Sequence, residues 1–252
     1  MMNENLSEQL ALTSEKDDLF GQQSWPDPFV FNEAVAAVFD DMVSRSVPLY
    51  RETVACAAQW ACDYYQLDTH IIDIGCSTGT FFDLVGRVLS EPASLIGIDS
   101  AQPMLDRAEV KLAHLTDRHH LSLWHKDILD CTFDNSSVVV MNYTLQFLPV
   151  ADRSTVLQAI YDGLRPGGLL FLSEKVKSIS RRVQDTVTQQ YQSFKTQNGY
   201  ARTEIERKKA ALENVLVPLT QEAQIEMLKQ IGFSQVDTVL KMHNFVSFVA
   251  IK

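Results

Sequence analysis

Apolar runs of strand length alternate with amphipathic stretches of helix length through most of this 252-residue chain, and that rhythm limits its fold more than any other feature. Residues 69–75 (THIIDIG) form a short apolar run stopped by glycine, the pattern of a buried strand entering a tight turn. A helix is expected over about 80–90 and a second strand over 94–99. A helix over 103–116 then leads to a weak strand at 121–125 and a strong one at 137–142 (SVVVMN). The amphipathic stretch 151–164 runs into Pro166-Gly167-Gly168, a helix-stop and turn signal, before a fifth strand at 169–173. Strand–helix units at this spacing imply right-handed crossovers. The expected class is therefore α/β, a doubly wound and mostly parallel sheet with helices on both faces.

Three segments lie outside the rhythm. Residues 1–27 are polar and charged and end in Trp25-Pro26-Asp27-Pro28, so they are expected to form a flexible arm ahead of one domain over 28–252. Within 31–63, Ala34, Val35, Val38 and Met42, then Val54, Ala57, Ala58 and Ala61, recur at helical spacing, with a break near Pro48. Residues 176–216 are rich in charge and glutamine and read as two helices around Asn198-Gly199, a helical insertion suited to a lid. A last helix over 222–230 precedes 236–241 and 244–251, an antiparallel hairpin for the sheet edge.

A formal net charge of −10 argues against a broad electrostatic grip on nucleic acid, and no direct nucleic-acid binding is expected. No run of about 18 apolar residues is present, so no membrane span is expected. The first residues lack the basic flank and apolar stretch of a secretory signal, which points to a cytoplasmic protein. Cys56, Cys62, Cys76 and Cys131 form no CxxC pair, and His119, His120 and His125 lack ligand spacing; reduced thiols and no metal are expected.

The chemistry points to Asp73-Ile74-Gly75-Cys76-Ser77-Thr78-Gly79, where the first strand gives way to a helix. Its glycines do not fit a dinucleotide GxGxxG, and it lacks the Gly-Lys-Ser/Thr ending of a phosphate loop. Alone it is the turn that any such sheet uses. Asp99 closes the second strand some two dozen residues later, where an acid can accept from both ribose hydroxyls of an adenosine ligand; capping the next helix is the structural alternative. Asp127-Ile128 follows the third strand, where a carboxylate can meet an adenine amino group and an aliphatic chain can cover the ring; a solvated turn is the alternative. Asn142 ends the fourth strand at the floor of the cleft, and Cys76 reads as a small space-filling residue beside the ligand.

The set DIGCSTG, IGID, KDI, VVVMN and LRPGG resembles the class I S-adenosylmethionine-dependent fold, whose ligand carries no phosphate and lays its methionine end beside Asp73 and Gly75. More specifically, FDDM with RSVPLY (45–50), DIGCS, NYTLQFL (142–148), LSEK (172–175), NGY (198–200) and ALENV (211–215) resemble the carboxy-S-adenosyl-L-methionine synthases, formerly labelled tRNA uridine-34 methyltransferases, over about 29–252. The resemblance implies transfer of the carboxyl group of prephenate to the methyl carbon of S-adenosylmethionine, with phenylpyruvate released. It also implies a homodimer, and a product passed to a tRNA carboxymethyltransferase that modifies wobble uridine.

By the same resemblance, Tyr50, Gly75, Cys76 and Ser77 contact the amino-acid end of the ligand, Asp99 and Ser100 the ribose, and Asp127 and Ile128 the adenine, with Asn142 near the sulfonium. The family carries an arginine before LENV that pairs with the transferred carboxylate; this chain has Lys209, which supplies the charge without the planar fork. Tyr200 and the basic run 202–209 are the expected dianion site. An ordinary methyltransferase acting on a small molecule or tRNA, and a protein that only sequesters the modified cofactor, are the alternatives.

Overall fold

The computed structural model describes residues 6–8, 14–21 and 29–252. Seven strands, β1 (His70–Ile74), β2 (Ser94–Asp99), β3 (His120–His125), β4 (Ser136–Asn142), β5 (Leu164–Lys175), β6 (Gln235–Met242) and β7 (Phe245–Ile251), form one sheet in the order β3-β2-β1-β4-β5-β7-β6. β1 to β5 run parallel, while β7 lies antiparallel between β5 and β6. The strand order reverses between β1 and β4, so their carboxyl ends diverge into the crevice that this topology offers a ligand.

The inner strands β1, β2, β4, β5 and β7 are largely buried on both faces, as their apolar runs require, while the outer β3 and β6 are partly exposed. On β4, Val138 and Val140 face α2 (Tyr50–Tyr64), α3 (Thr80–Val88) and α4 (Gln102–Leu112), while Val139 and Met141 face α5 (Val150–Gly163) and α8 (Gln221–Ile231). The insertion folds as α6 (Arg181–Gln197) and α7 (Arg202–Ala211), broken where Gly199 takes φ +90°. Asn32 caps α1 (Glu33–Ser46) by accepting from the Val35 N–H, and Val47-Pro48-Leu49 separates α1 from α2.

Two expectations need correction. The Pro166-Gly167-Gly168 stretch is not a turn between α5 and β5 but a bulge inside β5, whose register to β4 jumps from Leu164↔Ser136 to Leu169↔Val138. Lys252 N–H donates to Gly168 O and Gly167 N–H to Lys252 O, so backbone pairing with Lys252 holds the bulge in the sheet, with Gly167 at φ +73°. The expected flexible arm is also packed where it is described. Asp17 is 2% and Phe20 1% exposed; Asp17 N–H donates to Asp41 Oδ2 (2.7 Å), and Asp41 N–H to Ser14 Oγ (2.8 Å). Phe20 stacks on Phe29 in a small core with Val35, Met42 and Ala211, and apolar burial of this kind outweighs the disorder its polar composition suggests. The tetrapeptide 25–28 lies outside the described residues.

Candidate active site

The loop after β1 is wound tightly against β2. Gly75 and Cys76 N–H groups both donate to Ile98 O (2.8 and 3.1 Å), and Gly75 adopts φ +71°. A Cβ on Gly75 would sit 2.2 Å from Thr144 Oγ1, so glycine is required both for the turn and for the close approach of the β4 end. Ser77 N–H donates to Asp99 Oδ2 (2.9 Å), and Ala101 N–H donates to Asp99 Oδ1 (2.9 Å). Asp99 thus clamps the loop to β2. It does not cap α4, whose N-cap is Ala101 without a side-chain bond.

Three non-glycine residues with positive φ flank expected contact positions: Leu49 (+56°) before Tyr50, Ser77 itself (+53°), and Tyr143 (+59°) after Asn142. Left-handed backbone at branched or bulky residues costs about 1–2 kcal/mol each, and such strain concentrates where a ligand site is built. Ser77 Oγ is buried and without a partner among the described residues.

The electrostatics suit a cationic ligand. Asp73, 3% exposed at the end of β1, has its carboxyl pushed up to about 8, first by burial and then by the Asp99 charge. Asp99 is pushed up too, chiefly by burial, against the bonds that Ala101 and Ser77 donate to it. Two buried acids facing one turn resist ionising together unless a positive group sits between them. S-adenosylmethionine carries two such groups, a sulfonium and an ammonium, and the orphaned Ser77 hydroxyl fits its polar amino-acid end as well.

The remaining positions divide. Tyr50 hydrogen bonds Thr80 at the start of α3, and burial pushes its phenol far up. Asn142 Oδ1 accepts from Ser173 Oγ (2.7 Å) at the floor. The Ser100 carbonyl pairs with His125 Nε2 (3.0 Å) just beyond Asp99. Asp127 is exposed and caps a short 3-10 turn, accepting from Leu129 N–H (2.9 Å), with Ile128 half-buried beside it. Cys76 packs against Gly97, and burial raises its thiol well above the usual range. Among the described residues, no group of three or more His, Cys, Asp or Glu converges as metal ligands do.

Tyr200 and Lys209 stand apart from the cofactor loop. Tyr200 donates to Asp17 Oδ2, beneath the Arg45 guanidinium 4.3 Å from its ring centroid. Lys209 is exposed, 3.8 Å from Glu206. The buried cation of α7 is its neighbour Lys208, whose Nζ has no described partner and lies 5.8 Å from the Phe20 and Tyr200 rings. Sequence reasoning missed Lys175 and Lys195, which flank Tyr191 at 5.1 and 4.4 Å from its ring centroid. A lysine directly after the apolar run 169–172 and Ser173-Glu174 was the available signal for the first of them.

A loop that cradles a ligand through backbone and buried acid, with no phosphate grip, at the switch point of a 3-2-1-4-5-7-6 sheet, defines the class I S-adenosylmethionine-dependent methyltransferase fold. The model for the methyltransferase domain family matches residues 71–168. A solved magnesium protoporphyrin IX methyltransferase from Synechocystis PCC 6803 with bound SAH is similar in fold, at TM-score 0.55 and 14% identity over 80% of this chain and 82% of that one.

Two sequence relatives narrow the class. A carboxy-S-adenosyl-L-methionine synthase from Trichodesmium erythraeum is 57% identical over 251 residues, 100% of this chain and 99% of the relative. Another, from Desulforapulum autotrophicum, is 42% identical over 94% of this chain and 97% of its own. The chain belongs to the carboxy-S-adenosyl-L-methionine synthase family and is an S-adenosylmethionine-dependent transferase.

Proposed function

We propose that the protein makes carboxy-S-adenosyl-L-methionine, taking the carboxyl group from prephenate. The observation that carries this reading is the 57% full-length identity to a relative bearing that name, over a fold whose loop is built for a cation. The ring of prephenate aromatises as its carboxyl group leaves; the ring hydroxyl departs as water with a proton from the ligand's methyl group, and a carbon–carbon bond replaces that C–H. Asp73, Asp99 and the loop backbone would orient S-adenosylmethionine, whose sulfonium supplies the activated methyl carbon. Asn142, fixed by Ser173, would face that centre. Water must be kept from the transferred group, and α6 and α7 would cover the crevice.

Lys209 would meet the new carboxylate, which requires its side chain to leave Glu206; an exposed pair of this kind is worth little, so the change is cheap. We assign the product to a tRNA carboxymethyltransferase and the protein to a cytoplasmic homodimer. Incubation with prephenate and S-adenosylmethionine should yield phenylpyruvate and a nucleoside heavier by one carboxyl group. Methyl transfer to a small molecule or tRNA without that mass gain would replace this reading with an ordinary methyltransferase. Lys209→Ala should lose the carboxylated ligand while still binding S-adenosylmethionine. Equal loss of both would make Lys209 structural. Light scattering tests the dimer.

A further inference from the structure

We propose that Lys175 and Lys195, both beside the Tyr191 ring, are the groups that hold the carboxylate the second substrate keeps, and that this substrate enters as a dianion across the end of β4. The inference rests on the anionic second substrate of the proposed reaction and moves its anchor away from Tyr200 and the 202–209 run.

The two lysines arrive from different elements. Lys175 ends β5, two residues beyond Ser173 and therefore on the same face of the strand, one step past the Ser173–Asn142 contact. Lys195 lies in the last turn of α6 and is 9% exposed. The Nζ atoms are 5.1 and 4.4 Å from the centroid of the Tyr191 ring, which is fixed by its hydroxyl donating to Ser46 O (2.8 Å). No described carboxylate lies within 4.0 Å of either nitrogen. Buried ammonium groups that do not pair with acids call for an anionic partner.

The floor leading to them is aromatic. Tyr191 packs on Phe245 (5.1 Å between centroids), Phe245 meets Tyr143 nearly edge-on (5.7 Å, 73°), and Tyr143 is the residue after Asn142. A six-membered ring lying on Tyr143 and Phe245 would have the carboxylate of its pyruvyl chain toward the lysines and the ring carboxylate that is transferred toward Asn142. Repulsion supports the arrangement: burial lowers both lysines, Lys195 to about 8, and the charges of Lys175 on Lys195 and of Lys209 on both act in the same direction. The acid that opposes this at Lys195 is Glu206, which itself bonds Gln192 and lies near Lys209. A dianion would relieve all of it.

The test is steady-state kinetics on Lys175→Gln, Lys195→Gln and the double variant, with S-adenosylmethionine affinity measured alongside. Each single change should raise the KM for prephenate by about tenfold or more, with S-adenosylmethionine affinity within about twofold of wild type, and Lys195→Arg should recover most of the loss. Lys195→Met should unfold at the same or a higher temperature than wild type, because it removes an unpaired buried charge; a structural lysine would lower it. A KM within about twofold of wild type in the double variant overturns the assignment. If wild type produces no phenylpyruvate, the reaction reading fails by itself. The lysine site is then judged by calorimetry, with prephenate titrated into S-adenosylmethionine-loaded wild type and double variant. Binding lost only in the variant sustains it; equal binding, or none in either, overturns it.

Discussion

Asp40 Oδ2 lies 2.6 Å from Lys111 Nζ, and this pair is nearly sealed from water, with side-chain exposures of 2% and 13%. Asp40 Oδ1 accepts from Thr78 Oγ1 (2.6 Å), and Lys111 Nζ also donates to Thr78 (3.1 Å) and Thr80 (3.3 Å). A residue of α1 and a residue of α4 thereby hold the far half of the loop that cradles the ligand, and Thr80 passes the constraint to Tyr50.

Removing one partner leaves the other charged, buried and uncompensated. Asp40→Ala should therefore lower stability by about 3–5 kcal/mol in chemical denaturation. Asp40→Ala with Lys111→Met should recover much of that stability yet still bind S-adenosylmethionine more weakly than wild type, since Thr78 has lost its acceptor. Recovery of full affinity in the double variant would show that the loop stands without the pair.

Gly75→Ala should weaken S-adenosylmethionine binding by at least about tenfold, measured by calorimetry. The added methyl would meet Thr144 Oγ1 at 2.2 Å, at a φ of +71° that alanine resists. Thr144→Ala on the same background should recover part of the loss, because the remaining Thr144 contact is the Cβ at 3.0 Å.

Asp73 imposes a pH dependence. Its folded-state pKa is raised from 3.8 to about 8, so between those values the folded, ligand-free chain keeps a proton that the unfolded chain has released. Stability must then fall as pH rises through that window. Asp73→Asn should flatten this decline: its urea midpoint relative to wild type should be higher at pH 8 than at pH 5. A difference that does not change with pH would refute the burial of an ionisable Asp73.

Cys76 should resist iodoacetamide in the native protein at pH 8, because burial holds its thiol protonated, and it should react once urea unfolds the chain. Mass spectrometry of the tryptic peptide reads both states. Rapid native labelling would mean that the loop opens to solvent.

The inner strands are legible because most are runs of apolar residues long enough to cross a buried sheet; β2 spans the expected 94–99. Asp73, Gly75 and Asp99 were legible because topology alone places strand tips β1 and β2 at the crevice. The bulge at 166–168 was not, since Pro-Gly-Gly reads locally as a turn and pairing with Lys252 keeps it within the strand. Tyr200 and Lys208 depend on a segment nearly two hundred residues earlier, Asp17 to Phe20, whose polar composition hides its packing. One residue along α7 separates exposed Lys209 from buried Lys208, a rotation of about 100° that no short motif records.

The order of the sheet also sets the order in which the two halves of the crevice can be built. The ligand loop and its supports, from Asp40 to Asn142, come from one continuous stretch of chain. The lysine pair is different: Lys175 lies in register opposite Phe245, which closes the aromatic floor from seventy positions away in sequence. Synthesis from the amino end therefore delivers the residues of the loop after β1 before those that complete the aromatic cluster beside Lys175. Contacts between distant residues also form late in refolding. In refolding, the loop after β1 should gain its protection from exchange before Phe245 settles opposite Lys175.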